Sequence, residues 1–180
     1  QGRMPVLAGL ITRGIRSDLS TLEPKLSPLL WTTIATGRTP DRHGIANFVE
    51  PKPDGSGLRV ATSTSRKVKA LWNIASQLGL RSQVTGWYAS HPAEPILGSV
   101  TSNLLMEGDP GDGGAWPLVP GAVHPASLAA DGAASRVGRA AMRADGLGPL
   151  VPNLPAGLVG DPRVDTLCQV MAVGASGGRA

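Results

Sequence analysis

The sequence predicts an α/β domain, and three observations carry that expectation. Residues 65–80, SRKVKALWNIASQLGL, put Val68, Leu71, Trp72, Ala75 and Leu78 on one face of a helix that Ser65 can cap and Gly79 can end. One tight turn later, RSQVTGWY (81–88) reads as a strand, and helix, short turn, strand is the unit of an α/β layered domain. Upstream, LSPLLWTTIATG (26–37) reads as a short apolar helix. Ser27 is available as its cap, Pro28 falls at the first helical position, and Gly37 can take the left-handed conformation that stops it.

The remaining elements follow in chain order. MPVLAGLITRG (4–14) spaces Val6 or Leu7, Leu10 and Ile11 as an amphipathic helix stopped by Gly14. IRSDLSTL (15–22) alternates as a short strand would. Residues 46–65 contain two prolines, Asp54-Gly55 and Gly57, which predicts a surface excursion with a turn at its tip, in the form of a hairpin. Nine of the 18 residues from 108 to 125 are Gly or Pro, so a poorly ordered linker or long irregular loop is expected there. Beyond it, 126–145 is Ala-rich and helical in pattern, and 161–176 reads as a helix capped by Asp161 with Pro162 in its first turn.

Length and composition bound the function. A chain of 180 residues suits one domain that buries about 70% of its unfolded surface. Aromatics are only 3%, so the core must come from aliphatic residues. The net charge of +4 favours anionic partners. The basic residues are scattered, however, and no aromatics are interleaved with them, so no nucleic-acid binding is expected. Cys168 stands alone, which excludes a disulfide framework and a Cys-based zinc site. No apolar run is long enough to span a membrane.

The candidate chemistry centres on Ser27. A serine at a helix start has two readings: a plain cap worth about 1 kcal/mol, or a hydroxyl held at a positive helix end because an anion binds there. Thr32 and Thr33 are alternative hydroxyls inside the helix. His43, His91 and His124 are isolated, with no Asp or Glu at ligand-like spacing. Trp31, Trp72 and Trp87 fit core packing, and Arg38 and Arg42 could steer an anionic substrate.

SPLLWTTIATGRTPDRHGI resembles the nucleophile helix of the alkaline phosphatase superfamily, in its type I phosphodiesterase/nucleotide pyrophosphatase branch. The resemblance rests on Ser27, Thr36-Gly37, Pro40, His43, Gly44 and Ile45. KVKALWNI, VTGWYASHPAEP and GRMPVLAGLITRG are similar to a bacterial branch of the same group, and the likeness runs from about 2 to 103. The resemblance implies a partial alkaline-phosphatase-like layered domain, a central sheet flanked by helices. Residues 1–107 would form its N-terminal part, 108–125 a linker or loop, and 126–180 a helical insertion or cap.

The resemblance further implies hydrolysis of an anionic phosphate mono- or diester. Ser27 would be both nucleophile and metal ligand, beside two divalent metals, zinc by family habit, whose other ligands lie outside this chain. The helix dipole contributes about 0.3–1 kcal/mol towards activating a serine. A bound metal can shift the pKa of a coordinated water from 15.7 to about 7, or roughly 12 kcal/mol, so the metals would supply most of the activation. The chain is therefore expected to be a fragment, inactive alone. Where the pyrophosphatase branch carries Asn three residues after its nucleophile, this chain has Leu30, so no substrate is carried over. Two further classes stand beside the hydrolase: an inactive binding or scaffold protein that keeps the fold, and a small basic interaction module.

Overall fold

The computed structural model describes residues 4–108, 114–136 and 138. The helix expected over 161–176 and Cys168 lie outside the described residues. Within them the architecture is α/β, as the sequence predicts. Helices α1 (Pro5–Arg13), α2 (Ser27–Thr36) and α3 (Pro40–His43) precede a hairpin of β1 (Val49–Pro51) and β2 (Leu58–Val60). After α4 (Leu71–Gln77) come β3 (Ser82–Thr85), β4 (Gly98–Thr101), β5 (Val123–His124) and α5 (Ala129–Ser135).

The main sheet has the order β3-β4-β5, with β3 and β4 parallel and β5 antiparallel to β4. Val84 faces Val100 across the parallel ladder, and β-branched residues suit such a packed surface. Gly98 opens β4 at φ +131°, where an added Cβ would lie 1.9 Å from the Ser82 carbonyl oxygen. Only glycine lets the two strands start side by side. Ala35, Ala70, Trp72, Val84, Ile96 and Val100 form the main buried cluster, so α2 and α4 both pack on this sheet.

The hairpin forms where the turn chemistry predicts it. Asp54 Oδ1 accepts the Ser56 N–H at 2.9 Å, Gly55 takes φ +72°, and Arg59 pairs with the cross-strand Glu50 at 2.6 Å. The strand expected over 15–22 does not form. Ile15 is 100% exposed and Leu19 96% exposed, with no partner strand to accept a ladder.

The helix expected over 65–80 is shorter than its apolar pattern. Ser65 closes a 3-10 turn (Ser63–Ser65) and donates to Glu50 instead of capping the helix. Asn73 Oδ1 accepts the Ala70 N–H at 2.9 Å, and the helix starts at Leu71. Trp72 is buried as expected, whereas Leu71 and Leu78 are exposed.

Helix α1 forms and stops before Gly14, yet none of its residues is buried. Of the stretch expected to be irregular over 108–125, Val123–His124 adds the third strand to the sheet. Val123 and fully buried Ala122 pack there with Leu105. A 3-10 turn (Ala126–Leu128) and α5 occupy the start of the Ala-rich segment.

Candidate active site

Ser27 is the first helical residue of α2 and not its cap. Leu26, extended at φ −106° and ψ 129°, holds the cap position, and its carbonyl accepts the Leu30 N–H at 3.0 Å. With its backbone already helical, Ser27 makes no side-chain capping bond, contrary to expectation. Its half-buried hydroxyl has no hydrogen-bond partner among the described residues. Pro28 therefore falls at the second position, where its missing N–H also costs nothing. Gly37 ends the helix as predicted, at φ +62°.

The helix packs in a direction that places Ser27 at one edge of the sheet. Ala35, in the last turn of α2, shares the buried cluster with Val84 and Val100 from the strand interiors. One turn earlier, Trp31 meets Trp87, two residues past the end of β3. Their rings are 4.7 Å apart and edge-on, and the Trp87 indole N–H donates to the Trp31 carbonyl at 3.1 Å. Following the helix from Ala35 through Trp31 to Ser27 thus leads outwards past the carboxyl end of β3. That edge of an open α/β sheet is where ligands bind. Arg38 and Arg42 follow the opposite end of α2, about 15 Å away for a ten-residue helix. Exposed Arg42 faces the neighbouring Asp41, so neither arginine flanks the first turn.

His43 is fully buried. The Ile45 N–H donates to its Nδ1 at 3.2 Å, so Nε2 carries the ring proton and donates to Thr33 Oγ1 at 3.0 Å. The Thr33 hydroxyl in turn donates to the Leu29 carbonyl at 2.9 Å. Burial lowers the imidazole pKa, Asp41 opposes that shift, and Arg66 adds a smaller lowering of its own. Both ring nitrogens are thus committed, and the histidine fixes the loop after α2. Thr33 is likewise committed, which removes it as an alternative nucleophile, and Thr32 is buried.

Beyond the carboxyl end of β4, Asn103 Oδ1 accepts the Ser90 and His91 N–H groups, each at 3.0 Å, and His91 Nδ1 lies 3.3 Å from Ser102 Oγ. A buried ionic cluster supports the same region. The Arg66 guanidinium, 5% exposed, pairs with Glu94 at 2.5 Å and lies 5.4 Å from the Trp72 ring centre, while Trp72 Nε1 donates to Glu94 at 2.8 Å. Sequence reasoning missed Asn103, Arg66 and Glu94. Glu94 lies between Pro92 and Pro95, a local sign of a fixed loop that the sequence reading did not use. Trp31, expected in the core, is 43% exposed.

Among the described residues no three His, Cys, Asp or Glu side chains come together as a metal site. The ligand set implied by the family is therefore not found in these residues.

No curated protein matches the chain at a significant level. No solved structure does either. A family model does match, over residues 1–135, and it spans α2, the aromatic contact to β3 and the Asn103 loop. On that match, covering three quarters of its length, the chain belongs to the type I phosphodiesterase/nucleotide pyrophosphatase family.

Proposed function

We propose that Ser27 is the nucleophile of a phosphoric ester hydrolase, and that the protein works through a phosphoseryl intermediate. The family is one of phosphodiester and pyrophosphate hydrolases. The observation that carries the specific reading is the hydroxyl of Ser27, which in the first turn of α2 bonds to none of the described residues. A capping serine would have spent that oxygen on a backbone N–H. A nucleophile must keep it available.

The backbone N–H groups of this turn have no carbonyl partner within the helix, and with the dipole they favour the phosphate oxygens. As the Oγ–phosphorus bond forms, the bond to the leaving oxygen breaks, that oxygen keeps the electron pair, and the serine proton is released. Water then cleaves the phosphoseryl ester and restores the hydroxyl. Dependence on two divalent metals, zinc included, is proposed from the family, with ligands from beyond the described residues.

The experiment is an acid quench of the intact protein during turnover of bis(p-nitrophenyl) phosphate, followed by peptide mass mapping. One p-nitrophenylphosphoryl group, the half of the ester that phosphorus retains when one p-nitrophenolate leaves, is expected on the peptide carrying Ser27. Phosphorylation of a different residue would remove Ser27 from the chemistry.

A further inference from the structure

The two faces of the β3-β4 pair differ in character. Val84 and Val100 turn to the buried cluster that also holds residues of α2 and α4. Side chains alternate along a strand, so Gln83 and Ser99, which are cross-strand neighbours in the ladder, point to the opposite face. Arg81, two residues before Gln83, falls on that same face. Parallel strands are ordinarily apolar on both faces, each covered by helices. Here the second face is polar and open: Arg81 and Gln83 are exposed, and Ser99 is half-buried.

The chain leaving β5 runs alongside this face through Pro125, Ser127 and Leu128, and raises a wall over the floor formed by Arg81, Gln83 and Ser99. The result is an open groove of about 440 Å³, a size within the roughly 300–1,000 Å³ of small-molecule sites. It lies at the amino ends of β3 and β4, away from Trp87 at the other end, where α2 makes its aromatic contact. None of these polar side chains has a hydrogen-bond or ionic partner among the described residues. Ser99, Ser127 and Gln83 can each donate or accept, so they adapt to a ligand. Arg81 can only donate, and it carries a permanent positive charge. No carboxylate lines the groove to neutralise it. Pro125 and Leu128, the latter 38% exposed, add an apolar side.

We infer that this groove is a ligand site for a small organic anion. An oxoanion headgroup, carboxylate or phosphate ester, pairs with the Arg81 guanidinium, whose planar fork matches two oxygens of either. The apolar body of the ligand lies against Pro125 and Leu128. The inference does not rest on the reading of Ser27, which belongs to a helix on the other face of the sheet.

The test is a fluorine NMR titration of the intact protein with three probes that share one ring: 4-fluorobenzoate, 4-fluorophenyl phosphate and neutral 4-fluorobenzyl alcohol. Saturable binding of at least one anion is expected, with the alcohol binding several times more weakly. Whichever anion binds more tightly identifies the headgroup the site takes. Arg81→Gln should weaken the anion about fivefold, as loss of a charge-assisted pair in an open groove implies, and leave the alcohol unchanged. Should that variant not fold, Ser127→Asp carries the test: on an exposed turn, it sets a like charge in the groove and should weaken the anion by at least as much. Equal affinity for the alcohol and the anions, no saturable binding of either anion, or unchanged anion affinity in the folded variant would each overturn the inference.

Discussion

His43 and Thr33 lie ten residues apart in sequence and are joined by a 3.0 Å hydrogen bond that ties the loop after α2 to the helix carrying Ser27. The ring is wholly inside the protein, accepts the Ile45 N–H and donates to Thr33. Replacing His43 by Ala removes both bonds and opens a cavity. A loss of about 3 kcal/mol follows from the buried groups left unpaired and the volume removed. Denaturant unfolding of the intact protein, wild type against variant, measures it. A loss below about 0.5 kcal/mol would show that the loop is fixed by something else.

The same burial makes stability depend on pH. Burial lowers the pKa of His43 in the fold below its ordinary value of 6.5, and burial lowers that of His91 as well. The unfolded chain therefore binds these protons first as pH falls. The stability contribution is complete above pH 6.5 and declines as pH falls below that value towards the folded pKa. Melting temperatures taken from pH 8 down to pH 5 should fall over this window, and by less in His43→Ala. A wild type with flat stability across the range would contradict the burial of a neutral imidazole.

Arg66 and Glu94 predict a larger effect. The guanidinium is almost wholly buried, and Glu94 is its ion-pair partner while also accepting from Trp72. Glu94→Ala strands a buried cation, at a cost of about 3 kcal/mol or more. Arg66→Met with Glu94→Gln removes both charges together and should recover much of that loss, a comparison that denaturant midpoints can make directly. Equal instability of the single and double variants would count against the ion pair as the cause.

Gly98 tests the sheet. Alanine there would place its Cβ 1.9 Å from the Ser82 carbonyl oxygen, at a φ that side chains rarely adopt. Gly98→Ala should abolish soluble, cooperatively folding protein. Gly79→Ala, at φ +73° with open space around it, should cost only about 1 kcal/mol. Similar melting curves for the two variants would mean that β3 and β4 do not start side by side.

The parts of the fold that were legible in the sequence are those specified locally. Gly37 ends α2 and Asp54-Gly55 turns the hairpin because turn and cap residues act over a few positions. The strand at 82–85 followed from its neighbours in the same way. What failed depended on contacts distant in sequence. The alternation of 15–22 could not reveal that no strand lies beside it. The apolar spacing of 65–80 concealed that Arg66 turns to Glu94, 28 residues on, and that 66–70 lie outside the helix. Val123–His124 joins β4 through a partner more than twenty residues away, against a local composition that reads as a loop. At the site, spacing and helix punctuation put Ser27 at the start of α2 but made it the cap, a position that falls one residue earlier, at Leu26. The exposure of Trp31 was not legible, because an aromatic on an apolar helix reads as core until the packing direction of the helix is known.

The most direct test of the central claim is hydrolysis of bis(p-nitrophenyl) phosphate by the intact protein and by its Ser27→Ala variant, with melting temperatures of both. Ser27 is half-buried and its hydroxyl bonds to no described residue, so the variant should fold with its melting temperature unchanged while hydrolysis falls to background. Retained hydrolysis in a folded Ser27→Ala protein would contradict the account, because the nucleophile would then lie elsewhere.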